Sequence, residues 1–541
     1  MTVIAASAAG TTFEWYDFFV FGTLTPVIAR NFFAGLDPTS GLLAALALFG
    51  TAYLFRPLGA LIFGRLGDRF GRKAAFLTTV AMMGGATFLI GLLPTYEQAG
   101  AVSPILLILM RIIQGTALGG EYGGAAIYVA EHAPAGRRGL LTSWIQASAA
   151  IGLVGALVVI VAARAAMGEA RFEAGSWTGG WRIPFLVSAG LLAISIWMRL
   201  KLSESPAFAR LKALGEQSHA PYAEAFGRWP NLKVVIIALV AIMSAQGAAW
   251  YAVFFYAIQV FLERFLKLDP TIGGRLLLAI SIASAPLYVF FGWLSDKVGR
   301  KWIMWGGMSL ALIAFFPGFH ALTRIANPAL QMAQARTPVT VIADPRRCSL
   351  QLDIIGKADF STSCDLAKSA LANQGVSYSN QPAPAGALAQ VRIGSRTVLS
   401  RGAEGLGAAA RKAAAADVQA RLAAALAQAG YPRRAELTAA QFLGVFGILM
   451  IFVIAATALY GPQAAALVEL FPTRIRYTAL SLPYHVGTGW VGGFVPVTAF
   501  AIVTATGDIY SGLWYPVIFT ALSVATLPFF LPETFRRSLE A

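Results

Sequence analysis

Long apolar stretches alternate with short polar loops along most of the chain. A helix needs roughly 20 apolar residues to cross a bilayer core of about 30 Å. Twelve stretches fit this requirement, near residues 11–33, 41–64, 74–94, 104–131, 140–166, 182–200, 234–262, 275–294, 302–322, 440–467, 478–505 and 512–531. We number them spans 1 to 12. The pattern predicts an all-α polytopic membrane protein with twelve transmembrane helices.

The composition agrees with this pattern. Hydrophobic residues make up 57% of the 541 positions and charged residues only 13%, against about 45–50% and 25% in soluble proteins. These values exclude a soluble enzyme, a disordered chain and a secreted disulfide scaffold. In a membrane protein, the net charge of +16 is best explained by loop lysines and arginines that set orientation, and we expect no nucleic-acid partner.

The basic residues also predict the topology. Lys and Arg are concentrated in the loops that share a side with both termini, and such loops face the cytoplasm. We therefore expect a multi-pass protein of the inner (plasma) membrane with cytoplasmic termini. The first ten residues carry no Lys or Arg, so we expect no signal peptide. A longer native N-terminus is compatible with a chain that starts almost inside its first helix.

An internal repeat divides the chain into halves. Residues 64–73 (GRLGDRFGRK) recur as residues 292–301 (GWLSDKVGRK), with six of ten positions identical at an offset of 228. Glu131 and Pro134 recur as Glu469 and Pro472 at an offset larger by about 110 residues. This predicts two six-helix halves, residues 11–202 and residues 233–323 with 437–532, joined by a cytoplasmic connector at 203–232. The extra chain is an inserted domain at 324–436, between spans 9 and 10.

The insert differs from the spans in its pattern. Short β-branched runs at 339–342, 376–379 and 391–393 predict strands, and residues 365–373 and 408–429 predict helices. The charge bias places this small α/β domain outside the cytoplasm. There Cys348 and Cys364 would form a disulfide, with two unpaired thiols as the alternative. No catalytic set and no metal site is found, so we expect neither an enzyme nor a cofactor.

Several motifs together identify a family resemblance. The repeated G-x-L-x-D-x-x-G-R-K resembles the signature loop of the major facilitator superfamily. Residues 13–18 (FEWYDF), 56–59 (RPLG), 111–124 and 180–185 (GWRIPF) resemble its metabolite:proton symporter family. The resemblance covers 11–322 and 440–532, and it implies transport of organic acids or zwitterionic solutes with protons. The Gly-Pro-rich span 5 motif of antiporters is absent from residues 151–156 (IGLVGA), which favours symport.

Acidic residues inside the spans are candidates for proton coupling. Ionisable side chains cost about 2.5–3.5 kcal/mol each inside a bilayer on insertion scales, so they are usually functional. Glu14 and Asp17 are three residues apart on one helix face, and Glu121 lies in span 4. Two carboxylates this close in a low dielectric favour retention of a proton on one of them. The alternative is that they pair with arginines as static struts.

Arginines in the spans are candidates for binding an anionic substrate. Arg111 is the first choice because a guanidinium holds a carboxylate through two hydrogen bonds, and Arg56 is the second. The alternative is that each orders neighbouring backbone carbonyls. Further candidate substrate contacts are Gln114, Tyr122, Gln246, Tyr251, Tyr460 and His485. A neutral, packed state is the alternative to a titrating His485.

The repeated loops are candidates for a gate. Their acidic and basic residues lie at helix ends, where ion pairs and helix dipoles can hold the outward-open state. The predicted gating residues are Gly64, Asp68, Arg69, Gly71, Arg72, Gly292, Asp296, Gly299 and Arg300. The alternative is that the residues of these loops only set the membrane topology.

Three functions follow from this interpretation. The first is a proton-coupled symporter that imports a small organic acid by alternating access, functional as a monomer. The second is a betaine or proline osmolyte symporter. The third is a transporter-derived receptor that uses the insert as a binding module.

Overall fold

The computed structural model of the chain describes residues 2–34, 38–201, 203–352 and 360–539. Helices dominate the first half. They comprise Thr2–Thr23, Thr25–Phe32, Pro38–Phe70, Arg72–Leu92, Tyr96–Ala99, Val102–His132, Arg138–Met167, Glu169–Glu173 and Arg182–Leu200. Two short helices, Pro206–Ala213 and Pro221–Phe226, occupy the connector.

The second half contains interrupted spans. Span 7 runs from Trp229 to Phe265 and includes π-helical segments at Ala238–Met243 and Ala252–Phe265. Spans 8, 9 and 10 are Pro270–Val298, Arg300–Ala326 and Ala439–Leu470, and the helix Pro328–Arg336 follows span 9. Span 11 comprises Arg476–His485, a π-helical segment at Val486–Gly492 and Val495–Thr506. Span 12 is Trp514–Phe530, and 3-10 turns at Thr473–Ile475 and Ser511–Leu513 precede spans 11 and 12.

Ten helices in the described part of the chain are long and apolar enough to cross a membrane. They correspond to predicted spans 3 to 12. Spans 1 and 2 fall on Thr2–Thr23 and Pro38–Phe70, which pack in the same bundle but are not among those ten. The predicted all-α polytopic fold is confirmed. Of the twelve predicted spans, ten meet the criteria of length and apolar composition within the described residues.

Glycines allow the helices to pack closely. A Cβ atom on Gly119 would lie 2.2 Å from the carbonyl oxygen of Arg56, and one on Gly115 would lie 2.5 Å from that of Ala52. Spans 2 and 4 can therefore bring their backbones together only because these positions carry no side chain. The two halves meet where span 2 packs against span 11 and span 5 against span 8.

The insert contains a four-stranded mixed sheet. Strands β1 (Val339–Ala343), β2 (Tyr378–Pro382), β3 (Gln390–Ile393) and β4 (Arg396–Leu399) are arranged in the order β2-β1-β3-β4. β1 is parallel to β2 and antiparallel to β3, with Val341 opposite Val391, and β3 and β4 are antiparallel. Insert helix α1 (Ser363–Asn373) connects β1 to β2, and insert helix α2 (Ala408–Gln428) follows β4. A short 3-10 turn occupies Pro345–Arg347, and a disulfide joins Cys348 to Cys364.

The insert and the chain termini lie at opposite ends of the bundle. The insert contacts the loops after spans 7 and 11, through Leu268 and Gly507. The C-terminal segment contacts the start of span 11, where Thr473 Oγ1 and the Arg476 guanidinium both donate to the Leu539 carbonyl. The repeated loops lie at this second end.

Candidate functional site

A small cavity lies between the two halves, midway along the bundle. Its volume is about 20 Å³, which accommodates a water molecule but not a metabolite. The halves are therefore closed around the site in this conformation. The lining residues come from both halves and are Thr11, Glu14, Trp15, Phe18, Arg56, Leu118, Tyr122, Ile145, Tyr460, Tyr484 and His485.

Arg56 contributes the positive charge of this central cavity. Its side chain is 8% exposed, and its guanidinium lies 4.5 Å from the ring centroid of Tyr53 and 6.0 Å from that of Phe18. Among the residues the structure describes, Arg56 Nε has no hydrogen-bond partner. A buried guanidinium with a spare donor is suited to bind an anion, because it gains a hydrogen bond that the protein does not supply.

Aromatic side chains form much of the wall of the central cavity. Tyr122 of span 4 stacks on Tyr484 of span 11 at a ring distance of 3.7 Å. The Tyr484 hydroxyl lies 2.9 Å from that of Tyr460, and Gln146 Nε2 donates to the Tyr122 hydroxyl at 2.9 Å. The stacking of Tyr122 on Tyr484 crosses the interface between the halves, so a ligand here would touch both.

Glu14 also lines a second cavity, which lies inside the N-terminal half. This acidic pocket has a volume of about 20 Å³, and Asp17 and Glu121 are among its other lining residues. Ser188 and Ser195 provide hydroxyls in the same wall. Glu14 thus connects a space with three carboxylates to the space that contains Arg56. The structure brings together the three residues predicted to couple protons.

A chain of hydrogen bonds connects Asp17 to Arg111. Arg111 Nη1 donates to Gln114 Oε1 at 2.8 Å, and Gln114 Nε2 donates to Thr87 Oγ1 at 2.7 Å. Thr87 Oγ1 donates to Asp17 Oδ2 at 2.9 Å. All four side chains are buried. Arg111 and Gln114, predicted to contact substrate, are therefore connected to a carboxylate in the acidic pocket instead. Neither lines the central cavity.

Arg199 is a buried partner that the sequence interpretation missed. It lies at the end of span 6, where a basic residue is expected to face the cytoplasm, but its side chain is 1% exposed and its Nη2 lies 3.3 Å from Glu121 Oε1. Its guanidinium lies 3.6 Å from the ring centroid of Phe76. It also faces Gly10, where a Cβ would lie 1.9 Å from Arg199 Nη2. The sequence carries no signal for these contacts, because a basic residue at the end of a span has the same pattern as a loop residue.

The remaining predicted contacts lie at or near the central cavity. Tyr460 and His485 line it, and both ring nitrogens of His485 lack a partner among the described residues. Tyr251 lies behind it, 5.8 Å from the ring of Tyr53. Gln246 is buried beside the close contact of Gly247 with span 11. The described residues contain no group of three His, Cys, Asp or Glu side chains that could hold a metal ion.

The first repeated loop contacts the opposite half through Asp68. Its Oδ1 accepts the N–H of Tyr477 at 3.1 Å, and its Oδ2 accepts the N–H of Thr478 at 2.8 Å. These amides belong to the first turn of span 11, so a buried carboxylate caps a helix of the other half. Arg72 joins this contact by donating to Asp68 Oδ1 at 2.5 Å and to the Thr473 carbonyl at 2.6 Å.

The second repeated loop makes the equivalent contact through Asp296. Its carboxylate accepts the N–H groups of Gly139 at 2.8 Å and Leu140 at 2.7 Å, in the first turn of span 5. Arg300 pairs with Asp296 at 2.7 Å and with Glu469 at 3.2 Å.

Glycines and a second set of acidic residues complete the two contacts. A Cβ on Gly64 or Gly292 would collide with the opposite half, at 2.8 Å from Thr478 and 2.5 Å from Gly139 respectively. Gly71 and Gly299 adopt φ values of +122° and +106°, which favour glycine. Glu131 pairs with Arg476 across the halves at 2.6 Å. Arg69, also predicted to gate, is exposed beside Phe70.

Two packed helical halves around a closed, charged cavity are the architecture of a secondary transporter. A family model described as "Sugar (and other) transporter" matches residues 2–225 and 359–541. The chain belongs to this family, which lies within the major facilitator superfamily, and the predicted resemblance to that superfamily is confirmed. It is a transporter and not an enzyme, and a multi-pass protein of the inner membrane.

Two curated relatives and a solved structure illustrate the similarity. The shikimate transporter of Escherichia coli (strain K12) is 36% identical over 323 residues, covering 58% of this chain and 71% of that protein. The proline/betaine transporter of the same strain is 34% identical over 327 residues, covering 58% and 63%. The proton:xylose symporter XylE, bound to 6-bromo-6-deoxy-D-glucose, is 17% identical with a TM-score of 0.61, covering 100% and 97%. At this low sequence identity, the similarity to XylE is evidence for the fold and for nothing further.

Proposed function

We propose that the protein is a proton-coupled symporter that imports a small organic carboxylate by alternating access. The observation that carries this proposal is the position of Glu14, which lines both the Arg56 cavity and the acidic pocket. A substrate site and a proton site that share one carboxylate have a direct route for coupling.

The coupling follows from charge balance. Without substrate, Glu14 and Arg56 neutralise each other across the central cavity. A substrate carboxylate that binds Arg56 removes this counter-charge, so protonation of Glu14 is favoured in the low-dielectric interior. Asp17 and Glu121 supply further proton sites behind Glu14. The loaded cavity then has no net excess of negative charge, and the halves can close around it.

Alternating access requires the two loop contacts to open. We assign Asp68 and Asp296 as latches that hold the halves together at the end with the termini. We place that end in the cytoplasm and the insert 324–436 outside it, since the basic loops lie with the termini. The domain boundaries predicted from the repeat are part of this proposal, as is function as a monomer.

A zwitterionic osmolyte is the second candidate. The aromatic wall of Trp15, Tyr122, Tyr460 and Tyr484 is suited to a quaternary ammonium group, which binds the faces of aromatic rings. A betaine would place its carboxylate on Arg56 and its cation on this wall. One relative is named as a proline/betaine transporter, which supports the same candidate. A receptor without net flux is the third candidate, and measured net uptake of a substrate would exclude it.

Matched substitutions of the two arginines test the substrate site. In proteoliposomes, Arg56→Gln should reduce uptake of shikimate or glycine betaine at least ten-fold through weaker binding, because a charged hydrogen bond contributes about 1.5–3 kcal/mol. Arg111→Gln should retain binding, measured as exchange of labelled substrate, but lose accumulation driven by a pH gradient. Unchanged binding in Arg56→Gln would reject the assigned anion site.

A further inference from the structure

The outer end of span 11 is capped by the insert. The last carbonyls of any helix lack partners within the helix. Here Lys368 Nζ donates to the Ala505 carbonyl at 3.2 Å, and Asn380 Nδ2 donates to the Thr506 carbonyl at 2.8 Å. The Tyr378 hydroxyl donates to the Thr504 carbonyl, and its backbone N–H donates to the Gly507 carbonyl at 2.7 Å. Three insert residues thus donate to four successive carbonyls, the last three of span 11 and that of Gly507, which follows it.

The insert also holds the loop after span 7. Lys267 Nζ donates to the Asn373 carbonyl at the end of insert helix α1, and the Ala435 N–H donates to the Lys267 carbonyl at 2.9 Å. Packing is close, because a Cβ on Gly375 would lie 1.8 Å from the Phe265 carbonyl oxygen. The insert therefore links the outer ends of spans 7 and 11, which both belong to the C-terminal half.

The disulfide fixes the helix that makes part of this link. Cys364 lies in the first turn of insert helix α1, and Lys368 lies one turn further along the same helix. Cys348 anchors that first turn to the segment that follows β1. Asp365 strengthens the attachment, since its Oδ1 accepts the Ser349 N–H at 2.8 Å. Loss of the disulfide would leave the start of the helix with fewer constraints.

Span 11 connects this insert contact to the transport site. Tyr484 and His485 line the central cavity, and the amides of Tyr477 and Thr478 bind the Asp68 latch. A π-helical segment at Val486–Gly492 separates these residues from the outer helix Val495–Thr506. A distorted segment of this kind is a common place for a helix to bend. A contact that fixes the outer helix Val495–Thr506 therefore limits the movement of the inner helix Arg476–His485.

We propose that the insert is a clamp that fixes the outer end of span 11 to the C-terminal half, and that the Cys348–Cys364 disulfide keeps this clamp closed. Reduction would proceed by exchange with an external dithiol, which is oxidised to its disulfide while the two cysteines become thiols. An intact clamp makes the C-terminal half move as one body. A released clamp lets the outer helix separate from it. The effect on transport rests on the proposed function, whereas the clamp itself does not.

Hydrogen–deuterium exchange of the purified protein tests the clamp without any substrate. The variant Lys368→Gln/Asn380→Ala removes two caps, and we expect amides in 495–507 to exchange about ten-fold faster, since each cap contributes about as much as one ordinary hydrogen bond. Arg396→Gln on β4, an exposed position in the same sheet, is the matched control and should leave exchange unchanged. Equal protection in the double variant and the control would overturn the clamp.

The disulfide is tested separately. Cys348→Ser/Cys364→Ser, and the unchanged protein treated with dithiothreitol, should both give faster exchange in 495–507 and a several-fold slower maximal uptake. If neither treatment changed the exchange of amides in 495–507, the disulfide would have no role in the clamp. Faster exchange with no uptake even in the untreated protein would leave the clamp in place and reject the proposed function instead.

Discussion

At the scale of single residues, Thr87 determines how Asp17 is held. Gln114 must present Oε1 to the Arg111 guanidinium, which only donates, so its Nε2 donates to Thr87 Oγ1. The single hydroxyl proton of Thr87 then has two acceptors within reach, Asp17 Oδ2 at 2.9 Å and the Met83 carbonyl at 3.0 Å. It can donate to an ionised Asp17, or turn to Met83 and accept from a protonated Asp17.

This arrangement predicts a specific effect of Thr87→Val. The substitution keeps the shape but removes the hydroxyl, so Asp17 loses its donor when ionised. Uptake driven by a pH gradient should fall about five- to ten-fold, the effect of one hydrogen bond of about 1–1.4 kcal/mol. Thr87→Ser retains the hydroxyl and should stay within about two-fold of the wild type. Equal uptake in both variants would show that Thr87 has no role in coupling.

The aromatic wall predicts a contrast at Tyr484. Tyr484→Phe loses only the hydroxyl contact with Tyr460 and keeps the ring stacked on Tyr122, so substrate affinity should change by less than about five-fold. Tyr484→Ala removes the stacked ring and should weaken binding at least ten-fold, given about 0.5–1.5 kcal/mol for an aromatic pair and further loss of buried area. Isothermal titration with shikimate and glycine betaine measures both. The opposite order would contradict a wall that binds through its rings.

The sequence indicated which residues are unusual but not which of them face each other. Glu14, Asp17, Arg56, Arg111 and Glu121 were recognised because charges are rare inside apolar spans. Spacing along a single span carries no information about the neighbouring helices. Arg111 therefore ranked above Arg56, although Arg56 lines the central cavity. Arg199 was missed because a basic residue at a span end has the same pattern as a loop residue.

At the scale of helices, the two capping aspartates predict a change in conformation. Asp68→Asn or Asp296→Asn removes the negative charge from the start of span 11 or span 5. A charged hydrogen bond contributes about 1.5–3 kcal/mol, so the closed state should lose at least a factor of ten in population.

Distances between spin labels measure this change. Phe70 and Val298 are exposed, equivalent positions in the repeated loops, and labels at Phe70→Cys and Val298→Cys report the separation of the halves. Asp68→Asn should shift the distance distribution to longer values. Arg69→Gln is the matched control, since Arg69 is exposed, and it should leave the distribution unchanged. A distribution that is insensitive to both aspartates would contradict their role as latches.

The elements of the insert show what pattern alone can locate. The strand at 339–342 and the helices at 365–373 and 408–429 lie within one or two residues of Val339–Ala343, Ser363–Asn373 and Ala408–Gln428. Strand β4, Arg396–Leu399, was not predicted, because a run of only four residues (RTVL) that lacks alternating polarity and directly follows a tight turn resembles a loop. Strand order was also beyond the sequence, since it depends on long-range pairing.

At the scale of the whole molecule, the offset between repeated motifs predicts where the insert and the two halves begin and end. A recurring decapeptide is a long-range signal that survives in a single sequence. The sequence contains no comparable signal for the relative position of the halves or for the closed state of the cavity. Both depend on contacts such as Asp68 with Thr478, which join residues far apart in the chain.

The orientation in the membrane is a separate prediction. A cysteine introduced at Arg396 of the insert should react with a membrane-impermeant maleimide in intact cells, because the basic loops place the insert outside. A cysteine at Arg536 near the C-terminus should react only after the cells are permeabilised. Both positions are exposed in the structure. The reverse pattern would invert the assigned topology.

Proton movement during substrate uptake tests the central claim most directly. In proteoliposomes with a pH indicator outside, addition of the transported carboxylate or betaine should make the external solution more alkaline in proportion to uptake. An inward pH gradient should drive accumulation. Glu14→Gln should still exchange labelled substrate but neither accumulate it nor move protons. Wild-type uptake without proton movement, and unaffected when the pH gradient is collapsed, would contradict coupling through Glu14.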